Sequence, residues 1–131
     1  MGGESAPAVQ VLDTDDGPEL PIVEGAGIAR AIVWPGIGAE HRSLHRISLG
    51  EGAATVELRH PGEAVYYVLE GIGEAVDPTS GERHHLDPGS MVHIGPGTAY
   101  VIRATGGSLE LVGGPSPPDP DLYGLAGEVR G

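Results

Sequence analysis

Glycine and proline interrupt this chain so often that no long helix can form. Of 131 residues, 23 are glycine and 12 are proline. In a helix interior these cost about 1 and about 3 kcal/mol relative to alanine. The intervals between them carry a period of two. Ile28 to Trp34 alternates before Pro35-Gly36, and Ser43 to Leu49 alternates with His45, Ile47 and Leu49 on one face. After Gly50-Glu51-Gly52, the set Ala54, Val56, Leu58 and His60 falls opposite Thr55, Glu57 and Arg59, which turns His60 inward with the apolar residues. Val65 to Leu69 reads as a nearly continuous apolar strand ending at a turn that carries Gly71 and Gly73, and Asp77 to Gly81 reads as a hairpin loop. His84 to Leu86, Met91 to Ile94, Tyr100 to Ala104 and Leu109 to Val112 complete the series. Short strands with regular turn signals predict an all-β, antiparallel jelly-roll barrel.

The length suits one domain. Residues 1–20 read as an N-terminal arm with a short strand from Val9 to Leu12, residues 21–114 as the barrel, and residues 115–131 as an extended C-terminal tail. Pro115, Pro117, Pro118 and Pro120 argue against a central strand there. The formal charge of -12 excludes nucleic acid and anionic membranes as expected partners, since both require clustered cations. There is no Cys and no Lys, so thiolate and lysine Schiff-base chemistry are excluded. The first residues lack the basic and apolar regions of a signal peptide, and no run reaches the ~20 apolar residues of a spanning helix, so a cytoplasmic location is the expectation.

Two stretches carry a family resemblance. His60-Pro61-Gly62-Glu63-Ala64-Val65-Tyr66-Tyr67-Val68-Leu69-Glu70-Gly71 resembles the first signature of the cupin superfamily, and Asp87 to Tyr100 resembles the second. The resemblance spans about Ser43 to Leu111. It implies the jelly-roll barrel and a homodimer formed through sheet edges and an exchanged N-terminal strand. It also implies a metal held by two His one residue apart, a carboxylate, and a third His. Those positions fall on Leu58, His60, Ala64 and Tyr100, so only His60 is kept. One imidazole does not hold a divalent cation against water, and no cofactor is predicted, although a divalent metal stays open. Glu63 would become a ligand only if a bulge turned it inward. The similar Glu-Ala-Val-Tyr string of the cupin ectoine synthase is the reason to consider it. His45 is a further inward candidate. His84 and His85, adjacent on a strand, face opposite ways, His93 points outward, and His41 lies in a loop.

Without a metal, the inward positions Leu58, His60, Ala64, Tyr66, Tyr100 and Ile102, with His45, describe a mostly apolar pocket with convergent polar groups, the composition of a small-molecule site. His60 is suited to acid or base work near neutrality, and Tyr100 to hydrogen bonding with a developing oxyanion. The expected function is therefore a metal-independent isomerase, cyclase or dehydratase of specialised metabolism. A non-catalytic ligand-binding cupin and a metal-dependent enzyme with an unusual ligand set are the alternatives.

Overall fold

A computed structural model describes residues 8–126, with side chains through Tyr123. It contains eight strands: β1 Val23–Glu24, β2 Gly27–Val33, β3 Leu44–Leu49, β4 Ala54–Thr55, β5 Glu63–Val76, β6 Arg83–Leu86, β7 Met91–Ile94 and β8 Val101–Ser116. A single 3-10 turn, Pro35–Ile37, follows β2, and a short helix, α1 Pro120–Ala126, follows β8. Among the described residues no helix is long and apolar enough to cross a membrane.

All strand pairs are antiparallel. Two long strands are shared between both layers of the barrel. The first half of β5 and the second half of β8 pair with each other and with β7 and β3, with β2 outside β3. The second half of β5 and the first half of β8 pair with each other and with β6 and β4, with β1 outside β4. Glycine makes the bend between the halves possible. Gly71 has a positive φ of 93°, and a Cβ there would lie 2.0 Å from the Ser108 carbonyl oxygen. The register slips between Val68 and Glu70 and again between Gly71 and Gly73. The turn expected at Gly71 and Gly73 is therefore a bend within one strand, and the two strands expected on either side of Thr105–Ser108 are one strand with an irregular middle.

The alternation in β3 places His45, Ile47 and Leu49 in the core. Its neighbours there include Tyr66, Val68, Ile102, Leu109 and Leu111. Three local expectations are corrected. Val9 to Leu12 is not a strand, and Val9 and Val11 are exposed. In β4 the buried residue is Thr55, not Ala54, because its hydroxyl accepts the buried Ile102 amide at 3.0 Å. The face then changes before Leu58, which bridges to Tyr100, so Leu58 and His60 point inward while Val56 is only half-buried. Finally, residues 115–126 are not an extended surface tail. β8 runs through Pro115 to Ser116, α1 follows, and Asp119, Leu122 and Tyr123 are buried.

Candidate functional site

His60, between β4 and β5, and Tyr100, at the threshold of β8, meet inside the barrel. The His60 Nδ1 donates to Asp119 Oδ2 at 2.7 Å, and its Nε2 accepts from the Tyr100 hydroxyl at 2.7 Å. The Tyr66 hydroxyl donates to the Tyr100 oxygen at 2.7 Å, in the orientation that satisfies every member with a neutral imidazole. The result is a chain running Tyr66, Tyr100, His60, Asp119, each hydroxyl or N–H pointing the same way. All four residues are buried, His60 and Tyr100 to 3% exposure. Burial first, with Tyr66 and Asp119 beside it, holds the Tyr100 hydroxyl well above the usual phenol range. Burial also pushes Tyr66 up to about 12, so both phenols keep their protons at neutral pH.

Asp119 serves two partners. Its Oδ1 accepts the Asp121 amide at 3.0 Å, the arrangement of a residue capping the first turn of a helix, while Oδ2 faces His60. Pro120 is the first residue of α1, where its missing N–H costs nothing.

His45 forms a second polar contact with the C-terminal segment. Its Nε2 shares a hydrogen bond of 2.6 Å with the Tyr123 hydroxyl, and its Nδ1 is buried without a partner among the described residues. Burial first, then repulsion from His60, lowers the His45 pKa to about 4. Tyr123 lies between the His45 ring, 5.7 Å away centroid to centroid, and Trp34, 5.3 Å away. Gly113 and Gly114 leave room for the Tyr66 and His45 side chains respectively. A Cβ on Gly113 would stand 2.7 Å from the Tyr66 ring, and one on Gly114 would stand 2.7 Å from Ser43 Oγ and 3.2 Å from His45 Cε1.

Leu58, Ala64, Tyr66 and Ile102 are buried in the same core cluster as Tyr100. The open pocket expected at these positions is instead filled, with Leu122 and Tyr123 belonging to that cluster. Tyr100 does border a groove of about 180 Å³ lined also by Ala75, Val92, Ile94 and Ala99. Glu63 is exposed, 2.6 Å from His93 Nε2, and the β5 bulges lie beyond it, so nothing turns it inward. His84 and His85 are both exposed, near Glu82 and Asp87 respectively.

The donor set does not fit the metal of the cupin signatures. Leu58 and Ala64 offer no ligand atoms, both His60 nitrogens are engaged, and among the described residues no three His, Cys, Asp or Glu side chains gather as a metal site. Asp119 and Tyr123 are the site residues that sequence reasoning missed. The signal was present in Asp119-Pro120-Asp121-Leu122-Tyr123, a capping residue and a helix-opening proline followed by an apolar pair.

The fold and site define a small single-barrel protein of the jelly-roll kind. The family model described as "Cupin domain" matches residues 45–112, and the chain belongs to that family. Among curated proteins none matches the sequence. The chain is similar in structure to a predicted oxalate decarboxylase from Thermotoga maritima, with 22% identity over 80% of this chain and 96% of that one and a TM-score of 0.66. It is likewise similar to KdgF from Halomonas sp., with 16% identity, 87% and 98% coverage and a TM-score of 0.68. The polyketide cyclase RemF from Streptomyces resistomycificus gives 21% identity, 90% and 83% coverage and a TM-score of 0.60. At these identities the likeness concerns the fold.

Proposed function

We propose that the protein is a metal-independent small-molecule enzyme, an isomerase, cyclase or dehydratase, in which His60 and Tyr100 transfer the proton. The observation that carries this reading is the aligned chain from Tyr66 through Tyr100 and His60 to Asp119. A proton leaves a carbon next to a substrate carbonyl for the Tyr100 oxygen as the Tyr100 proton passes to His60 Nε2. The imidazolium that forms lies against the Asp119 carboxylate. Because a free phenolate at Tyr100 is disfavoured by burial, the two transfers must be concerted. Returning the proton to a different atom isomerises the substrate, expelling a β-hydroxyl as water dehydrates it, and attack of the enolate carbon on a second carbonyl closes a ring.

Both groups are nearly inaccessible, so turnover requires a segment that covers them to move aside. That same burial favours one second reading, a ligand-binding protein in which the chain of hydrogen bonds is structural. Exchange of α-hydrogens for deuterium, followed by proton NMR over a panel of enolisable ketones and β-hydroxyketones, separates the two. Exchange by the parent, reduced about 100-fold in Tyr100→Phe and in His60→Gln, supports the enzyme. Equal rates in all three proteins refute it. The proposal includes a homodimer, for which exposed Val65, Tyr67 and Met91 on adjacent strands β5 and β7 offer an apolar face.

A further inference from the structure

We infer that residues 117–123 are a built-in occupant of the ligand site, and that the ligand they stand in for is a small aromatic acid carrying a phenolic hydroxyl. The inference rests on the reading that the barrel binds a small molecule, and it names the class of that molecule, whose own carboxylate takes the place of Asp119 beside His60 Nδ1 when it binds and there faces the imidazolium in its stead. Two histidines inside the barrel each have one nitrogen satisfied by this segment alone, His60 Nδ1 by a carboxylate and His45 Nε2 by a phenol. Asp119 and Tyr123 are four residues apart at the start of α1, so both project from one side of a single turn. The Tyr123 ring rests against Trp34, 5.3 Å away centroid to centroid. With the segment lifted away, what remains is an aromatic platform at Trp34, a hydroxyl partner at His45 and an anion partner at His60. The spare His45 Nδ1, buried and without a partner among the described residues, shows that the barrel offers more hydrogen-bonding capacity than the segment 117–123 uses.

The segment is also built to leave. It is joined to β8 through Pro117 and Pro118, α1 is seven residues long, and Pro117, Pro120 and Asp121 are exposed. Among the described residues no strand pairs with it after Ser116. A ligand that reproduces its carboxylate, ring and hydroxyl would compete for the same partners, and the protein would take it up only by releasing α1.

The full chain allows a direct test because Trp34 is the single tryptophan. Binding of 3-(4-hydroxyphenyl)propionate is followed by Trp34 fluorescence and by calorimetry, beside 3-phenylpropionate and 4-ethylphenol, which each lack one recognised group. Leu122→Ala weakens the segment without altering the barrel's own recognition groups, and Tyr123→Phe removes the competing hydroxyl. We expect the hydroxyaryl acid to bind at least tenfold more tightly than either control, and at least tenfold more tightly to each variant than to the parent. If one variant does not fold by circular dichroism, the other decides. Affinity that is unchanged or lower in a folded variant, equal binding of the three compounds, or no binding overturns the inference. α-Hydrogen exchange that persists with other compounds would then leave the proposed activity standing, whereas tight binding without any exchange would retain the ligand class and remove the catalysis.

Discussion

Lowering the pH from 7 to 4 should destabilise this protein through His45 in particular. The residue is fully buried, one nitrogen has no partner among the described residues, and its pKa falls from 6.5 to about 4 on folding. Between those values the unfolded chain binds a proton that the folded chain refuses, so stability is lost as pH falls. Each pKa unit corresponds to about 1.4 kcal/mol, which makes the full loss about 3 kcal/mol. For a domain of this size that is a substantial part of the ~5–15 kcal/mol typical of folding. The assay is urea unfolding at intervals from pH 7.5 to 4, on the parent and on His45→Gln. The glutamine amide cannot titrate and can still reach the Tyr123 hydroxyl. Carboxylates elsewhere titrate in both proteins and largely cancel in the difference. The stability of the parent relative to the variant should therefore fall by about 3 kcal/mol across the range. A difference that stays constant, or a His45 ring proton titrating near 6.5 by NMR, would refute the argument.

Three further outcomes follow from the same geometry. Gly71→Ala should cost several kcal/mol or prevent folding, measured by thermal melting, because it combines a left-handed φ with a collision against backbone, whereas Gly52→Ala, with positive φ but open space, should cost only about 1 kcal/mol. Above pH 10 stability should decline, since Tyr66 and Tyr123 ionise in the unfolded chain near 10 but only near 12 when folded; unfolding midpoints from pH 9 to 12 would show it, and Tyr66→Phe should flatten part of the slope. Elemental analysis after incubation with iron, manganese, nickel and zinc should find far less than one metal per chain, with no change in Glu63→Ala; stoichiometric metal lost in His60→Ala would contradict the assignment of the site.

Most strands were legible because their signals are local. His45, Ile47 and Leu49 alternate between clear breakers, and Met91–Ile94 is bounded by Pro88-Gly89 and Gly95-Pro96. His60, Tyr66 and Tyr100 could be assigned to the interior for the same reason. The misread parts depend on partners far away in sequence. Thr55 is inward because the Ile102 amide needs an acceptor, and an alternation rule read along Ala54 to His60 contains no such information. Gly71 and Gly73 are equally good turn residues and bend residues, and only the pairing with β8 decides between them. The prolines after Gly114 do exclude a strand beyond Ser116, yet they permit a capped helix, and the partner that draws Asp119 inward is His60, 59 residues earlier.

The weave of β5 and β8 has a mechanical consequence. Because each of these strands belongs to both layers, neither layer can slide over the other without breaking bonds along the longest strand pair in the molecule. The barrel wall is accordingly rigid, and large displacements are confined to segments that are not part of the weave. α1 and the Gly95–Ala99 loop are two such segments, and each lies directly beside a member of the buried hydrogen-bonded chain. Variation among related barrels that keeps β5 and β8 but changes those two segments would thus alter which molecules get in, and how fast, without disturbing the frame that holds His60.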